Sequence, residues 1–144
     1  SRFKMEKFLI FIGENFMAVL LLISLIAILV FYERKKGGTK IDASELTRLI
    51  NKEEPYVFDL RSSSEFNSGT VSGAVNIQST DLVKGNAQFK AKEEDKIVLI
   101  CKTGSNSSTA AGALKKEGYT NVSVLAGGMM GWVQGGMPLA KKQG

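Results

Sequence analysis

A continuous aliphatic run, Ile97 to Ile100, constrains the fold more than any other stretch of the chain. Four such residues without a polar interruption are typical of a strand buried on both faces of a parallel sheet. Polar and glycine residues end the run, and the segment from Ser107 to Glu117 predicts a helix that Gly118 closes. The sequence therefore predicts a central strand, a short loop and a helix that packs back onto the sheet.

Cys101, the single cysteine of the chain, lies at the junction between this strand and the loop. There it faces unpaired backbone N–H groups and the positive end of a helix dipole. Such surroundings favour the thiolate and lower a cysteine pKa from about 8.5 into a range of roughly 3.5 to 7.5. Because free cysteines are also commonly buried and inert, a structural thiol is the alternative interpretation. The position beside Lys102 and a glycine-containing loop favours a reactive nucleophile.

Short strands and helices alternate through the rest of the C-terminal part of the chain. The predicted elements are strands at Tyr56–Leu60, Ala74–Ile77 and Val122–Leu125, a helix capped by Asp42, and a short helix in Ala126–Val133. This order predicts an α/β fold, with one parallel sheet and helices on both faces. Sites in such sheets lie beyond the carboxyl ends of the strands. Asp59 and Arg61 are therefore expected to meet the loop from Cys101 to Ser107.

The region before residue 37 has a different composition. Phe16 to Tyr32 is a run of 17 residues without a charge, and Ser24 is its only polar residue. A bilayer span needs about 17 to 25 residues, and the apolar residues 8–12 can extend this run. We therefore expect one transmembrane helix over about residues 8–32. A cleaved signal peptide would have a shorter apolar core and small residues after it, and a buried core helix is not needed by the α/β pattern that follows.

Flanking charges predict the orientation of this helix. Four cations against two anions follow the apolar run: Arg34, Lys35, Lys36 and Lys40 against Glu33 and Asp42. The positive-inside rule places this side in the cytoplasm, and one unpaired cysteine is consistent with a reducing compartment. The expected organisation is an N-terminal segment (1–36), a linker (37–40) and an α/β domain (41–144). The chain is expected to be a single-pass protein of the inner membrane with this domain facing the cytoplasm.

Charge and residue types exclude several other functions. Six Lys or Arg residues stand against three Glu before residue 38, and 13 stand against 11 Asp or Glu after it. The α/β part is thus close to neutral and has no basic stripe interleaved with aromatics, which argues against nucleic-acid binding. With no histidine and one cysteine, the sequence offers neither a zinc site nor a Cys-His dyad. We expect no metal and no cofactor.

Three separated groups of residues resemble the rhodanese-like domain in order and spacing. They are Asp59-Leu-Arg61 with Glu65-Phe66, Gly69 and Gly73-Ala-Val-Asn-Ile77; Cys101-Lys-Thr-Gly104 with Ser107; and Leu125-Ala-Gly-Gly128 with Gly131-Trp132. The resemblance covers about residues 40–140, and with its apolar N-terminal run the chain is similar to single-domain, membrane-tethered bacterial members. The resemblance implies a sulfurtransferase, in which Cys101 takes sulfane sulfur from a donor such as thiosulfate and holds it as a persulfide. The acceptor would be cyanide or a protein thiol.

The loop residues suit this chemistry, since attack needs a thiolate and the outer sulfur of a persulfide is itself anionic. Lys102 supplies a point charge for the sulfonate end of thiosulfate, and Gly104 lets the backbone approach the sulfur. Hydroxyl donors are expected from Thr103, Ser105 and Ser107. Asp59 and Arg61 are supporting candidates, and the resemblance implies the alternative that they tie loops together, with Arg61 paired to Glu65.

Asn106 and Thr70 depart from the family's pattern. Many active members carry arginine at the sixth loop position, where this chain has Asn106, and a His-Ile pair where it has Thr70-Val71. Without arginine the loop lacks a bidentate anion fork, which lowers the expected affinity for thiosulfate. The absence of this arginine argues more strongly against a phosphatase. Loop length agrees, since phosphatases that share the fold typically have a loop one residue longer than Cys101–Asn106.

Two functions therefore stay open. The first is an active sulfurtransferase that delivers sulfur to a thiol, with the thiol of a protein as the expected acceptor. The second is a membrane-tethered binding or regulatory module with weak or no catalysis, for which another membrane protein is a candidate partner. The intact Cys-Lys-Thr-Gly start of the loop favours the first, and Asn106 and the membrane anchor favour the second.

Overall fold

A computed structural model describes residues 2–36 and 38–141 of the chain. Contacts divide it into two compact units, one ending at Lys35 and the other beginning at Lys36. The N-terminal unit consists of helix α1 (Arg2–Glu14) and of helix α2 (Phe16–Lys36) up to its last residue, with which the C-terminal unit begins. The C-terminal unit contains β1 (Thr39–Ile41), α3 (Ala43–Lys52), β2 (Tyr56–Asp59), α4 (Ser63–Ser68), β3 (Val75–Asn76), a 3₁₀ turn (Ser79–Asp81), β4 (Ile97–Ile100), α5 (Ser105–Lys116), β5 (Val122–Leu125) and α6 (Gly128–Gln134).

The five strands form one parallel sheet in the order β1-β5-β4-β2-β3. Strand β4 is therefore central, and all four of its residues are fully buried. Ile97 and Leu99 face one layer of the core, which contains the apolar residues of α5. Val98 and Ile100 face the other layer, which contains residues of α3 and α6. The predicted parallel sheet with helices on both faces is confirmed.

The helix ends follow the signals in the sequence. Asp42 caps α3, since its Oδ1 accepts a hydrogen bond of 2.8 Å from the Glu45 N–H. The Glu45 carboxylate binds Arg48 rather than reaching back to the cap. Helix α5 begins two residues before the predicted start, and Gly118 follows its end with a φ of +103°. Because this region of φ is open mainly to glycine, Gly118 stops the helix as predicted.

Strand β1 was not predicted. Thr39 and Lys40, which were assigned to a linker, pair with β5, whereas Gly37 of that linker lies outside the described residues. The strand is only three residues long and buries only Ile41, so it carries no alternating pattern that could be read from the sequence. The α/β unit therefore starts its sheet within the predicted linker.

The predicted continuous helix over about residues 8–32 is wrong in one respect, because the helical run is broken at Asn15 and bends by 86° there. The Asn15 side-chain amide donates to the Phe11 carbonyl oxygen at 2.9 Å, so it competes for the acceptor that the helix itself uses. Gly13 is also a poor helix former. Among residues 2–36 and 38–141, no one helix has both the length and the hydropathy of a bilayer span, whereas α1 and α2 reach both together.

Candidate active site

The carboxyl ends of β2, β4 and β5 position the candidate site. Cys101 directly follows the last residue of β4, so it leaves the sheet at its centre. Arg61 leaves the neighbouring strand β2, and Gly127 and Gly128 leave β5 on the other side. The structure thus brings the residues predicted from separate parts of the sequence to one edge of the sheet.

Backbone N–H groups of the loop converge on the Cys101 sulfur. Sγ accepts hydrogen bonds from the N–H of Gly104 at 3.0 Å and of Ser107 at 3.4 Å. Gly104 is the N-cap of α5 and has a φ of +103°, which a residue with a side chain rarely adopts. The sulfur therefore lies over the N-terminus of a twelve-residue helix, where the helix dipole favours negative charge.

The pKa of Cys101 lies below the ordinary range of a thiol. Burial is the largest single influence and raises the pKa, since only 3% of the residue is exposed. The Ser107 hydroxyl and the N–H groups of Ser107, Gly104 and Thr103 act in the opposite direction and together outweigh burial. The site therefore favours a desolvated thiolate, which is the nucleophilic form of cysteine.

The Ser107 side chain is fully buried beneath this sulfur. Its Oγ makes no hydrogen bond within ordinary distance and angle limits, and it is the only buried side-chain N or O atom among the described residues without one. The proximity of the hydroxyl to Cys101 nevertheless lowers the pKa of the thiol. The loop therefore holds an unused donor at the place where a negative charge would develop.

Replacing this hydroxyl, Ser107→Ala, is expected to raise the pKa of Cys101, because backbone N–H groups alone would then oppose the effect of burial. The rate of alkylation by iodoacetamide should be measured as a function of pH, and its midpoint should move to higher pH. Thr109→Ala on the same helix is the control, since that exposed hydroxyl lies against the Ser105 carbonyl oxygen. An unchanged midpoint in Ser107→Ala would show that the hydroxyl does not stabilise the thiolate.

The other predicted loop residues surround the sulfur at the surface. Lys102, Thr103, Ser105 and Asn106 are exposed, and Gly104 is half-buried. The Lys102 ammonium has no acidic partner in the part of the chain that the structure describes. Side chains of this set are therefore available to a ligand, although whether they bind one stays a prediction.

Asp59 and Arg61 form a buried ion pair next to the loop. Asp59 is fully buried and accepts from the Arg61 guanidinium, with Nη2 at 2.8 Å, and from the Thr70 hydroxyl at 2.8 Å. The same Arg61 nitrogen donates to the Gly69 carbonyl oxygen at 2.7 Å. The predicted partner of Arg61, Glu65, instead accepts from the Ser62 hydroxyl. This geometry favours the structural role for the pair, since it ties the segment after β2 to the following loop.

Helix α6 closes the site from the side of β5. The N–H groups of Met129 and Met130 donate to the carbonyl oxygens of Cys101 and Lys102, at 2.9 and 3.0 Å. Gly128 packs so closely against this backbone that an added Cβ would overlap Cys101 O and lie 2.6 Å from Lys102 C. The glycines at this turn therefore let α6 dock directly on the start of the loop.

Sequence reasoning missed three residues at this edge. Lys40 lines a cavity of about 220 Å³ beside Thr103 and Ser105, but its strand was not recognised. Thr70 was noted only as a departure from the family pattern, and its bond to Asp59 depends on tertiary structure. Gly128 was named only within the third group of family residues, and the glycine pair itself was the available signal of a close backbone approach.

The α/β unit contains two further cavities that are larger than the one beside Lys40. A cavity of about 280 Å³ adjoins Lys102 and α6, whereas a larger one, of about 430 Å³, lies at the amino ends of β4 and β5 near Lys84 and Tyr119. Because parallel sheets bind ligands at the carboxyl edge, the smaller cavities are the relevant ones. Within residues 2–36 and 38–141, no three His, Cys, Asp or Glu side chains come together as metal ligands.

Comparison with known proteins agrees with this geometry. Residues 42–135 match the family model of the rhodanese-like domain. The uncharacterized protein YibN of Escherichia coli is 30% identical over 141 residues, which cover 95% of this chain and 99% of YibN. A sulfurtransferase of Allochromatium vinosum is 28% identical over 106 residues, covering 73% of this chain and 97% of that protein.

A solved structure shows the same arrangement of strands and helices. The human single-domain sulfurtransferase TSTD1 superimposes with a TM-score of 0.60 at 28% sequence identity. The match covers 67% of this chain and 96% of the human protein. The family match, over residues 42–135, includes Cys101 and the rest of the candidate site.

Proposed function

The chain belongs to the rhodanese-like domain family, and from that premise we propose that it is a sulfurtransferase that carries sulfane sulfur as a persulfide on Cys101. The donor is a small sulfur compound such as thiosulfate, and the acceptor is a thiol or cyanide. One observation carries the proposal: the Cys101 sulfur accepts N–H hydrogen bonds from Gly104 and Ser107 over the N-terminus of α5, and its pKa is lowered.

The reaction divides into two displacements at sulfur. The Cys101 thiolate attacks the outer sulfur of thiosulfate, the S–S bond of the donor breaks, and sulfite leaves with the bonding electron pair. The persulfide that remains carries one negative charge on its outer sulfur. An acceptor thiolate or cyanide then attacks that sulfur, and Cys101 leaves as a thiolate.

The residues around Cys101 stabilise the negative charges that the reaction involves. Loop N–H groups stabilise the thiolate and the anionic persulfide, because they are already oriented toward the sulfur. The exposed Lys102 ammonium attracts the sulfonate of the donor. The unpartnered Ser107 hydroxyl and the exposed hydroxyls of Thr103 and Ser105 supply further donors.

A second candidate function rests on Asn106. This exposed side chain stands at the sixth loop position and carries no positive charge to hold an anionic donor. Weak donor binding would suit a membrane-tethered binding or regulatory module that uses the fold without turnover. The lowered pKa of Cys101 favours the enzyme, since a module has no need of an activated thiol.

The deciding experiment is intact-mass analysis of the full chain after treatment with thiosulfate. The enzyme should gain the mass of one sulfur atom on Cys101 and lose it again when cyanide is added, whereas Cys101→Ser should gain none. A protein that stays unloaded where a control rhodanese loads fully would favour the binding module instead.

We also propose that the N-terminal unit holds the protein in the inner membrane, with the α/β unit in the cytoplasm. The apolar side chains of α2 support this, since those from Phe16 to Tyr32 include exposures from 44% at Leu20 to 77% at Met17. A membrane-impermeant maleimide should label Cys101 only in disrupted vesicles. Rapid labelling in intact right-side-out vesicles would place the α/β unit outside the cytoplasm.

A further inference from the structure

A groove lies beside Lys102, between helix α6 and the segment that follows β2. Its volume is about 280 Å³. Buried Met129 forms part of its floor. The side chains at its rim are Arg61, Glu65, Lys102, Met130, Val133 and Gln134. We call this feature the α6 groove.

The α6 groove carries two large apolar side chains that are exposed. Met130 and Val133 are 45% and 54% exposed and lie three residues apart, so they share one face of the helix. Adjacent exposed apolar side chains beside a reactive residue are typical of a docking surface. Methionine is also common at protein interfaces, where its flexible thioether adapts to a partner.

The charge around the catalytic loop is mainly positive. Lys40 lines the cavity beside Thr103 and Ser105, Lys102 lines the α6 groove, and Glu65 is the only acid among the described residues that line either. The Arg61 charge is offset by Asp59, but the guanidinium nitrogen Nη1 has no partner in the described structure. The N-terminus of α5 adds further positive potential. This edge of the molecule therefore complements an acidic partner.

We propose that the α6 groove docks a protein acceptor whose thiol is flanked by apolar and acidic side chains. This inference rests on the proposed sulfurtransferase activity. The apolar side chains contact Met130 and Val133, the carboxylates lie against Lys102 and Arg61, and the acceptor thiolate reaches Cys101. That thiolate forms a bond to the outer persulfide sulfur, the Cys101 S–S bond breaks, and Cys101 keeps the electron pair. The negative charges balance on both sides of the step.

Binding can be tested without sulfur transfer. The full-length Cys101→Ser protein in non-ionic detergent is titrated with two fluorescein-labelled peptides, in which Leu and either Glu or Lys flank a central Ser. Fluorescence anisotropy should show binding of the acidic peptide at least about five-fold tighter than binding of the basic one, or roughly 1 kcal/mol. Equal affinities, or no binding of either peptide, would overturn the proposal.

Two valine substitutions locate the binding surface. Val133→Glu should weaken binding of the acidic peptide at least about five-fold, because the substitution places a carboxylate in the groove. Val83→Glu is the matched control, since Val83 is 53% exposed and lies outside the groove. The N-terminal unit is basic in both proteins, so the difference between the variants reports the groove itself. If both variants weaken peptide binding equally, or if Val133→Glu does not weaken it, the peptide does not bind in the α6 groove.

Sulfur transfer then separates the two proposals. The wild-type chain is loaded with thiosulfate, and discharge of the persulfide to the same peptides with Cys in place of Ser is followed by mass. Faster discharge to the acidic peptide supports both proposals. Failure to load would refute the sulfurtransferase, while the binding result still decides on the groove. Self-association that Val133→Glu abolishes would identify a second copy of the chain as the occupant and overturn the acceptor proposal.

Discussion

Gly128→Ala is expected to destabilise the α/β unit by about 3 kcal/mol and to slow persulfide loading roughly 10²-fold. Gly128 has a φ of +59°, and its added Cβ would overlap the carbonyl oxygen of Cys101. To relieve the overlap, α6 must move away from the loop and lose the hydrogen bonds that Met129 and Met130 make to it. Urea unfolding and intact-mass analysis measure the two effects.

Gly136→Ala is the matched control for this substitution. Gly136 also has a positive φ, of +71°, but an added Cβ there meets no atom within 4 Å. Gly136→Ala should therefore lower the free energy of unfolding only by the conformational cost, about 1 kcal/mol, and should leave persulfide loading normal. If the two variants lose the same stability, the close approach of α6 to the loop is not what requires Gly128.

Asp59→Ala should lower the free energy of unfolding by about 3 to 5 kcal/mol, because it leaves the Arg61 guanidinium without its countercharge in a site only 10% exposed. The Thr70 hydroxyl loses its acceptor at the same time. Double-mutant cycles with Arg61→Ala should show strong coupling between the two residues, since removing both leaves no unpaired charge. Urea unfolding of each variant measures these free energies of unfolding.

The exposed pair of Glu45 and Arg48 provides the comparison. It has a similar distance, 2.6 Å, but its side chains are 40% and 46% exposed. Water screens such pairs, so Glu45→Ala should leave the unfolding midpoint nearly unchanged. A large loss there, or a small one in Asp59→Ala, would show that burial does not decide the strength of these pairs.

The parts of the site predictable from sequence depend on local chain signals. The aliphatic run of β4, the following glycine-containing loop and the single cysteine lie within a dozen residues, and their chemistry is set by neighbours in sequence. The N–H groups that contact the sulfur belong to Gly104 of this loop and to Ser107 in the first turn of α5. Strand, loop and nucleophile were therefore predictable together.

The parts that were not predictable depend on contacts distant in sequence. Arg61 can pair with Asp59 or Glu65 by sequence spacing alone, and the choice depends on the burial of Asp59 and its bond to Thr70. The edge strand β1 gains its conformation from pairing with β5, because three residues carry too little pattern of their own. The helical run bends at Asn15, where the side chain makes a hydrogen bond, and the hydropathy pattern of the sequence does not predict this bend.

The lengths of the outermost strands have a consequence for aggregation. The sheet ends in β1, of three residues, on one side and in β3, of two, on the other. Exposed strand edges are templates on which other chains can add strands, and short edges offer few free backbone groups for this. The longer strands β2, β4 and β5 lie inside, and β4 among them has a continuous aliphatic sequence. The arrangement therefore keeps the uncharged aliphatic strand β4 away from the strands of neighbouring molecules for as long as the sheet is folded.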